Sequence, residues 1–189
     1  MKVRTFDALK ARNATSHLLD GIGEDLRREG LAETPDRVAK AWGKWTEGYS
    51  MRPEDIIKTF EEQNYDEMVI VRDLPIYSHC EHHLAAIFGT ASIAYIPRGR
   101  VLGLSKLARL ANIFARRLQV QERMTNQIAD ALWKSELAPK GVGVILRCRH
   151  MCMESRGICQ QGHHTITSAL RGVIKDEERA RSEFLRLTS

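Results

Sequence analysis

No apolar run in this 189-residue chain approaches the length of a membrane span, and Met1-Lys2-Val3-Arg4-Thr5-Phe6-Asp7 has no apolar signal-peptide core. The two absences predict a cytoplasmic protein with no membrane partner. Internal repeats and low-complexity linkers are also missing, which argues against a repeat array or a flexibly tethered pair of domains. There is no long basic run or arm: 29 basic residues are interspersed with 24 acidic ones for a net charge of +5. That excess serves an anionic small substrate as readily as a nucleic acid, and no nucleic-acid partner is expected. Cysteine is scarce, with four residues at 80, 148, 152 and 159, none in Cys-x-x-Cys spacing. The paired-ligand pattern of an ordinary structural zinc site is therefore absent. Without a secretion signal, metal binding is the better reading of these thiols than disulfide formation.

What is present describes a globular chain. Hydrophobic residues make up 43% and charged residues 28%, and the length suffices for one domain with a real core. Leu18, Leu19, Ile22 and Leu26 recur at helical spacing, with Gly30 as a C-terminal stop. Thr34-Pro35 reads as N-cap and first residue of a helix carrying Val38, Trp42 and Trp45. Pro53 opens a shorter helix through Ile56, Ile57 and Phe60. Strands follow over 68–72, from Ile76 into Cys80, and over 91–96, the last closed by the turn Pro97-Arg98-Gly99-Arg100. Ser105 is a candidate N-cap. Leu107, Leu110, Ile113, Phe114 and Leu118 form one helical stripe; Met124, Ile128 and Leu132 form another, out of phase with the first near Gln119-Val120. Two consecutive helices, or one bent helix, account for that.

From 142 to 152 the even positions are Val142, Val144, Leu146, Cys148, His150 and Cys152. Alternation along a strand puts His150 and Cys152 at the end of a core-facing row. A last strand over 165–174 precedes a helix capped by Asp176. Helices grouped apart from strands predict an α+β fold with a mostly antiparallel sheet. We divide the chain into a helical segment, 1–66, and a catalytic region, 67–189, within one structural domain.

Chemistry concentrates in Ser78-His79-Cys80-Glu81-His82-His83 and in His150-Met151-Cys152. Taken singly, a His or Cys on an apolar strand is most often packed, and Cys148 and Cys159 are left so. Cys80, His83 and Cys152 together are three ligands for a borderline-soft metal, with His82 and His150 beside them to move protons. That is the catalytic zinc pattern, three protein ligands and an open position. His163-His164 reads as a polar loop or a second metal pair. Ser105-Lys106-x-x-Arg109 at a helix start can hold phosphates, or can be a capped helix with surface charges; it lacks the Gly-rich run of a Walker loop. Glu122 can accept the paired N–H groups of a guanine edge, or be a solvated junction residue. Arg37 alone reads as a solvated helix charge.

Together these stretches resemble GTP cyclohydrolase I. The matching segments are Cys80-Glu81-His82-His83, 103–109 (Gly103 to Arg109), 117–123 (Arg117 to Arg123), and His150-Met151-Cys152-Met153 with Arg156-Gly157. Likeness runs from about Glu33-Thr34-Pro35 to Glu183-Phe184-Leu185. The resemblance implies the tunnelling fold, an antiparallel sheet backed by two antiparallel helices, with subunits joined into rings and two pentameric rings stacked into a homodecamer whose active sites lie between subunits. It implies Zn2+ held by Cys80, His83 and Cys152. It also implies proton transfer by His82 and His150, with Ser105 as a relay. A triphosphate pocket of Ser105, Lys106, Arg109, Arg156 and Arg37 is implied, as are guanine readers Gln121 and Glu122. The implied reaction is hydrolysis of GTP at C8, release of formate and rearrangement to 7,8-dihydroneopterin triphosphate, a first step toward pterins and tetrahydrofolate. Two rivals are a same-fold relative acting on another purine or pterin, and a non-enzymatic zinc module. The chain lacks a long N-terminal extension, so regulation that depends on one is not expected. Cys159-Gln160-Gln161-Gly162-His163-His164 is unusual in composition and is given no role in this reading.

Overall fold

The computed structural model describes residues 5–189. Helix α1 (Ala8–Gly21) begins after Asp7, whose carboxylate accepts the Lys10 N–H at 3.0 Å. It ends at Gly21 rather than near Gly30, because Gly23 takes a positive φ of 86° and turns the chain. Leu26 therefore lies beyond the helix, and Leu18 and Ile22 face outward. Helix α2 (Thr34–Trp45) has Pro35 in its first turn, but Glu33 occupies the cap position and Thr34 is already helical. A single 3-10 turn leads to the short α3 (Pro53–Ile56). Phe60, expected on that helix, belongs to strand β1 (Thr59–Glu61).

The two runs expected as separate strands form one, β2 (Val69–Cys80), bulged between Val71 and Leu74 where Asp73 has φ 55°. It pairs antiparallel with β3 (Ala86–Ile96). After the turn at Gly99, β4 (Arg100–Leu102) pairs with β1, so residues on either side of position 66 share a small sheet. Helix α4 (Ser105–Ala115) and helix α5 (Gln121–Trp133) are separated by β5 (Leu118–Gln119), which is where the two apolar stripes fall out of phase. Ser105 is the first helical residue rather than the cap, and no side chain caps that end. Strand β6 (Gly141–His150) leads into α6 (Met151–Glu154), and β7 (Thr165–Gly172) into α7 (Val173–Asp176) and α8 (Glu178–Thr188). Asp176 closes α7; Glu177 precedes α8.

The main sheet runs β5-β2-β3-β6-β7, antiparallel except for the β2–β5 pair. One face packs against Leu107, Leu110 and Phe114 of α4 and Met124, Ile128 and Leu132 of α5. The even residues Val142, Val144, Leu146 and Cys148 of β6 are fully buried on that face, as their alternation requires. Each buried Leu or Ile of this layer contributes roughly 1.5–3 kcal/mol. On the opposite face Phe184 of α8 covers Ala94 and Ile174. The architecture is the expected α+β, with a mostly antiparallel sheet backed by two consecutive helices.

Candidate active site

Three chain segments converge at one end of the sheet. Strand β2 finishes at Cys80, and the chain reverses at once: Cys80 N–H donates to Ala85 O and Leu84 N–H to Cys80 O, each at 2.8 Å. Leu84 takes φ 56° to close this loop, which presents His82 and His83 outward. Strand β6 brings His150 opposite Ile87 of β3. The parallel β5 pairs with His79 and Cys80, and Glu81 N–H donates to Gln119 O at 3.1 Å, carrying the first turn of α5 to the same place.

Sequence alternation put Cys152 on the strand. It lies instead on the helical turn α6, which curls the chain back over the end of β2. The result is a cluster in which one ligand atom each from Cys80, His83 and Cys152 lies within 4.8 Å of the others. Cys80 Sγ and His83 Nδ1 are 3.8 Å apart. Two sulfurs and an imidazole are a donor set suited to zinc, so the residues fit the metal. Burial and the neighbouring Cys80 sulfur push the Cys152 thiol above its ordinary value, and Arg156 works against them.

The cluster floors a cleft of about 200 Å³ whose wall includes His82, Glu122 and His150. His82 is exposed and 3.9 Å from Glu81, which is itself held by Arg123. That ion pair keeps the Glu81 carboxyl below its usual range. Glu122 is exposed in the first turn of α5, an end without a side-chain cap. Burial lowers the His150 pKa, and the Glu122 carboxylate opposes the shift. Behind His150, Arg149 forms a two-pronged pair with the buried Glu154, Nε to Oε1 at 2.8 Å, and draws the Glu154 carboxyl down. The loop 159–164 is braced internally, His163 Nδ1 donating to Gln160 O at 2.8 Å, and its Gly162 N–H bonds the Glu154 carboxylate.

The expected residues divide into two sets. Cys80, His82, His83, Gln121, Glu122, His150 and Cys152 come together around the cleft. Ser105, Lys106 and Arg109 stand on the first two turns of α4 and are not part of its wall; nor are Arg156, on the loop after α6, and Arg37. The Arg37 guanidinium is engaged by Glu33 at 2.9 Å and by Gly30 O at 3.1 Å. Gln121 also behaves differently from expectation. Its side chain is buried and turned inward, with the two Nε2 hydrogens shared among three acceptors, Thr165 O and Thr167 Oγ1 at 3.0 Å and Leu146 O at 3.2 Å. Thr165 and Thr167 were not anticipated; only their alternation on β7 hinted that they share a face toward α5.

The sequence matches the family described as GTP cyclohydrolase I over residues 11–189. A protein of Nitrosospira multiformis named GTP cyclohydrolase 1 is 58% identical over 172 residues, 90% of each chain. One of the same name from a Janthinobacterium species is 56% identical, covering 90% of this chain and 86% of its own. Another, from Thermoanaerobacter pseudethanolicus, is 47% identical over 96% of both chains.

Proposed function

Because the chain belongs to the GTP cyclohydrolase I family, we propose that its cleft carries out that family's reaction with Cys80, His83 and Cys152 as zinc ligands. The activity is that of a GTP cyclohydrolase I. The observation that carries the site assignment is the coincidence, in one cleft, of a Cys-His-Cys cluster with His150 and Glu122.

Zinc held by the cluster supplies Lewis acidity, the means of acidifying water at neutral pH. The remaining chemistry belongs to side chains. Glu122 accepts the N1–H and 2-amino hydrogens of guanine, two parallel hydrogen bonds to one carboxylate. The free N–H groups at the start of α5 lie beside it and suit the base oxygen. So held, the five-membered ring of the purine lies toward the cluster. A protonated His150 donates to the ring nitrogen as the C8 bond opens, and His82, exposed on its loop, exchanges the proton with water. Lys106, Arg109, Arg156 and Arg37 bind the triphosphate, and Ser105 relays a proton in the sugar rearrangement.

A cleft of about 200 Å³ is below the roughly 300–1,000 Å³ usual for ligand pockets, and none of the phosphate cations lines it. A homo-oligomer, a decamer of two stacked pentameric rings, supplies the missing wall from a second copy. Incubation of zinc-loaded protein with GTP tests the reading. Formate and the oxidised, dephosphorylated product neopterin are expected in equal amounts. Formate without neopterin would remove the rearrangement from the assignment, and neither product would remove the reaction altogether.

A further inference from the structure

Gln121 is buried to 1% exposure at the first position of α5, directly behind His150. Its carboxamide has one possible orientation. Leu146 O and Thr165 O are main-chain carbonyls and can only accept, so the group facing them at 3.2 and 3.0 Å is the amide nitrogen. The hydroxyls agree. Thr125 Oγ1 lies 2.7 Å from the carbonyl of Gln121 and donates to it; Thr167 Oγ1, 2.7 Å from Thr125 Oγ1, must then donate to Thr125. That leaves Thr167 Oγ1 as an acceptor, filled by Gln121 Nε2 at 3.0 Å. A closed ring of donors results, every direction set by a carbonyl. A flipped amide would put Oε1 against two carbonyls and a committed hydroxyl in a dry site, leaving each of these acceptors unmet.

With the amide fixed, Gln121 Oε1 faces His150 Nε2 at 2.7 Å. An amide oxygen accepts only, so the hydrogen is on Nε2. Among the described residues, Nδ1 of His150 has no hydrogen-bond partner, and it is not buried. The geometry points to Gln121 as a positioning residue: its side chain does not read the base but locks the His150 ring, so that proton exchange with substrate runs through Nδ1 alone. The inference rests on the reading of His150 as the proton-transfer group. In the donating step, His150 begins with hydrogens on both nitrogens and the Nδ1–H bond breaks as the purine N–H bond forms. Neutral imidazole with its hydrogen on Nε2 remains, the tautomer Gln121 already holds.

Two measurements test this. Formate release is followed for zinc-loaded wild type, Gln121→Met, His150→Ala and the double variant, with zinc content measured for each. Gln121→Met is expected to keep its zinc and its KM for GTP while kcat falls roughly 10–100-fold. In the His150→Ala background the same change costs less than about twofold, because the two residues act as one unit. A raised KM with kcat retained makes Gln121 a base reader and overturns the inference. An equal loss in both backgrounds makes it ordinary packing and also overturns it. Full activity in His150→Ala instead removes the prior assignment of His150, a distinct failure. Solid-state NMR of the unaltered zinc-loaded protein labelled with 15N-histidine needs no variant to fold except His150→Ala for assignment. In alkaline buffer the His150 hydrogen is expected on Nε2; finding it on Nδ1 refutes the proposal.

Discussion

Two thiols close together in sequence have opposite environments, and the difference decides their chemistry. Cys148 is completely buried among apolar side chains of the sheet, and burial pushes its pKa up to about 12. At pH 8 its thiolate fraction is then on the order of one in ten thousand, and reaction needs the thiolate. Cys159 is exposed on the loop after α6. In the zinc-loaded protein one thiol, Cys159, is expected to react promptly with iodoacetamide, and Cys148 only after denaturation; peptide mapping of the alkylated sites checks this. Cys152 is different again, since its sulfur shares a cluster with Cys80 and His83. Cys152→Ala leaves two ligands, which is too few to retain zinc through dialysis, and both metal content and formate release are expected to vanish. Retained zinc with normal turnover would remove Cys152 from the ligand set. Both expectations follow from ligand type and exposure, and the ligand types are visible in the sequence before any fold is known.

Among elements, strands are more legible than their ends. The buried row Val142, Val144, Leu146, Cys148 follows from alternation, and the break between α4 and α5 from a phase shift in apolar spacing. What alternation cannot report is where a ladder stops. β6 loses its partners after His150, which pairs with Ile87, and the chain is then free to coil into α6 and carry Cys152 toward Cys80. The Leu18 to Leu26 stripe misleads for the same reason: Gly23 ends the helix by backbone conformation, not by hydrophobic pattern. Gln121 is illegible because its partners come from β6 and β7, far off in sequence. Backbone proximity within the sheet yields a sharper expectation. A Cβ at Gly89 would lie 2.0 Å from Arg147 O and 2.6 Å from Cys148 Cα, so Gly89→Ala must force β3 from β6 two residues from the Ile87–His150 pair. Both melting temperature and formate release should fall together. Phe184→Ala, by contrast, opens the far face of the sheet and should cost about 3–5 kcal/mol in chemical denaturation with zinc content unchanged. A Gly89→Ala protein as active as wild type would mean that the sheet does not set the site's geometry.

At the scale of the whole molecule, the chain divides the groups that its reaction needs. The Cys-His-Cys cluster, His150 and Glu122 line one cleft, while Ser105, Lys106 and Arg109 stand outside it on α4. Cations outside the wall that holds the base meet a triphosphate beyond its rim, and we expect those of a second copy's α4, rather than the same chain's, to do so. Assembly would then be part of catalysis, and complementation between subunits should reveal it. On the proposed assignment, His150→Ala lacks the proton-transfer group and the double variant Lys106→Ala, Arg109→Ala lacks phosphate cations. Each homo-oligomer is expected to be nearly inactive. If the proposed assembly forms, unfolding and refolding the two together yields mixed oligomers in which some interfaces pair an intact cleft from one chain with an intact α4 from another. If cations act across the interface, formate release should recover to a sizeable fraction of wild type, about one quarter for random mixing in equal amounts, since half of the clefts and half of the α4 turns are intact and pair independently. If the cations act within their own chain, every cleft in the mixture carries one defect and no activity returns. The oligomer size of the mixed sample, measured by light scattering, must match that of wild type for the comparison to hold, and the recovered rate should rise and fall with the mixing ratio, greatest when the two variants are equal.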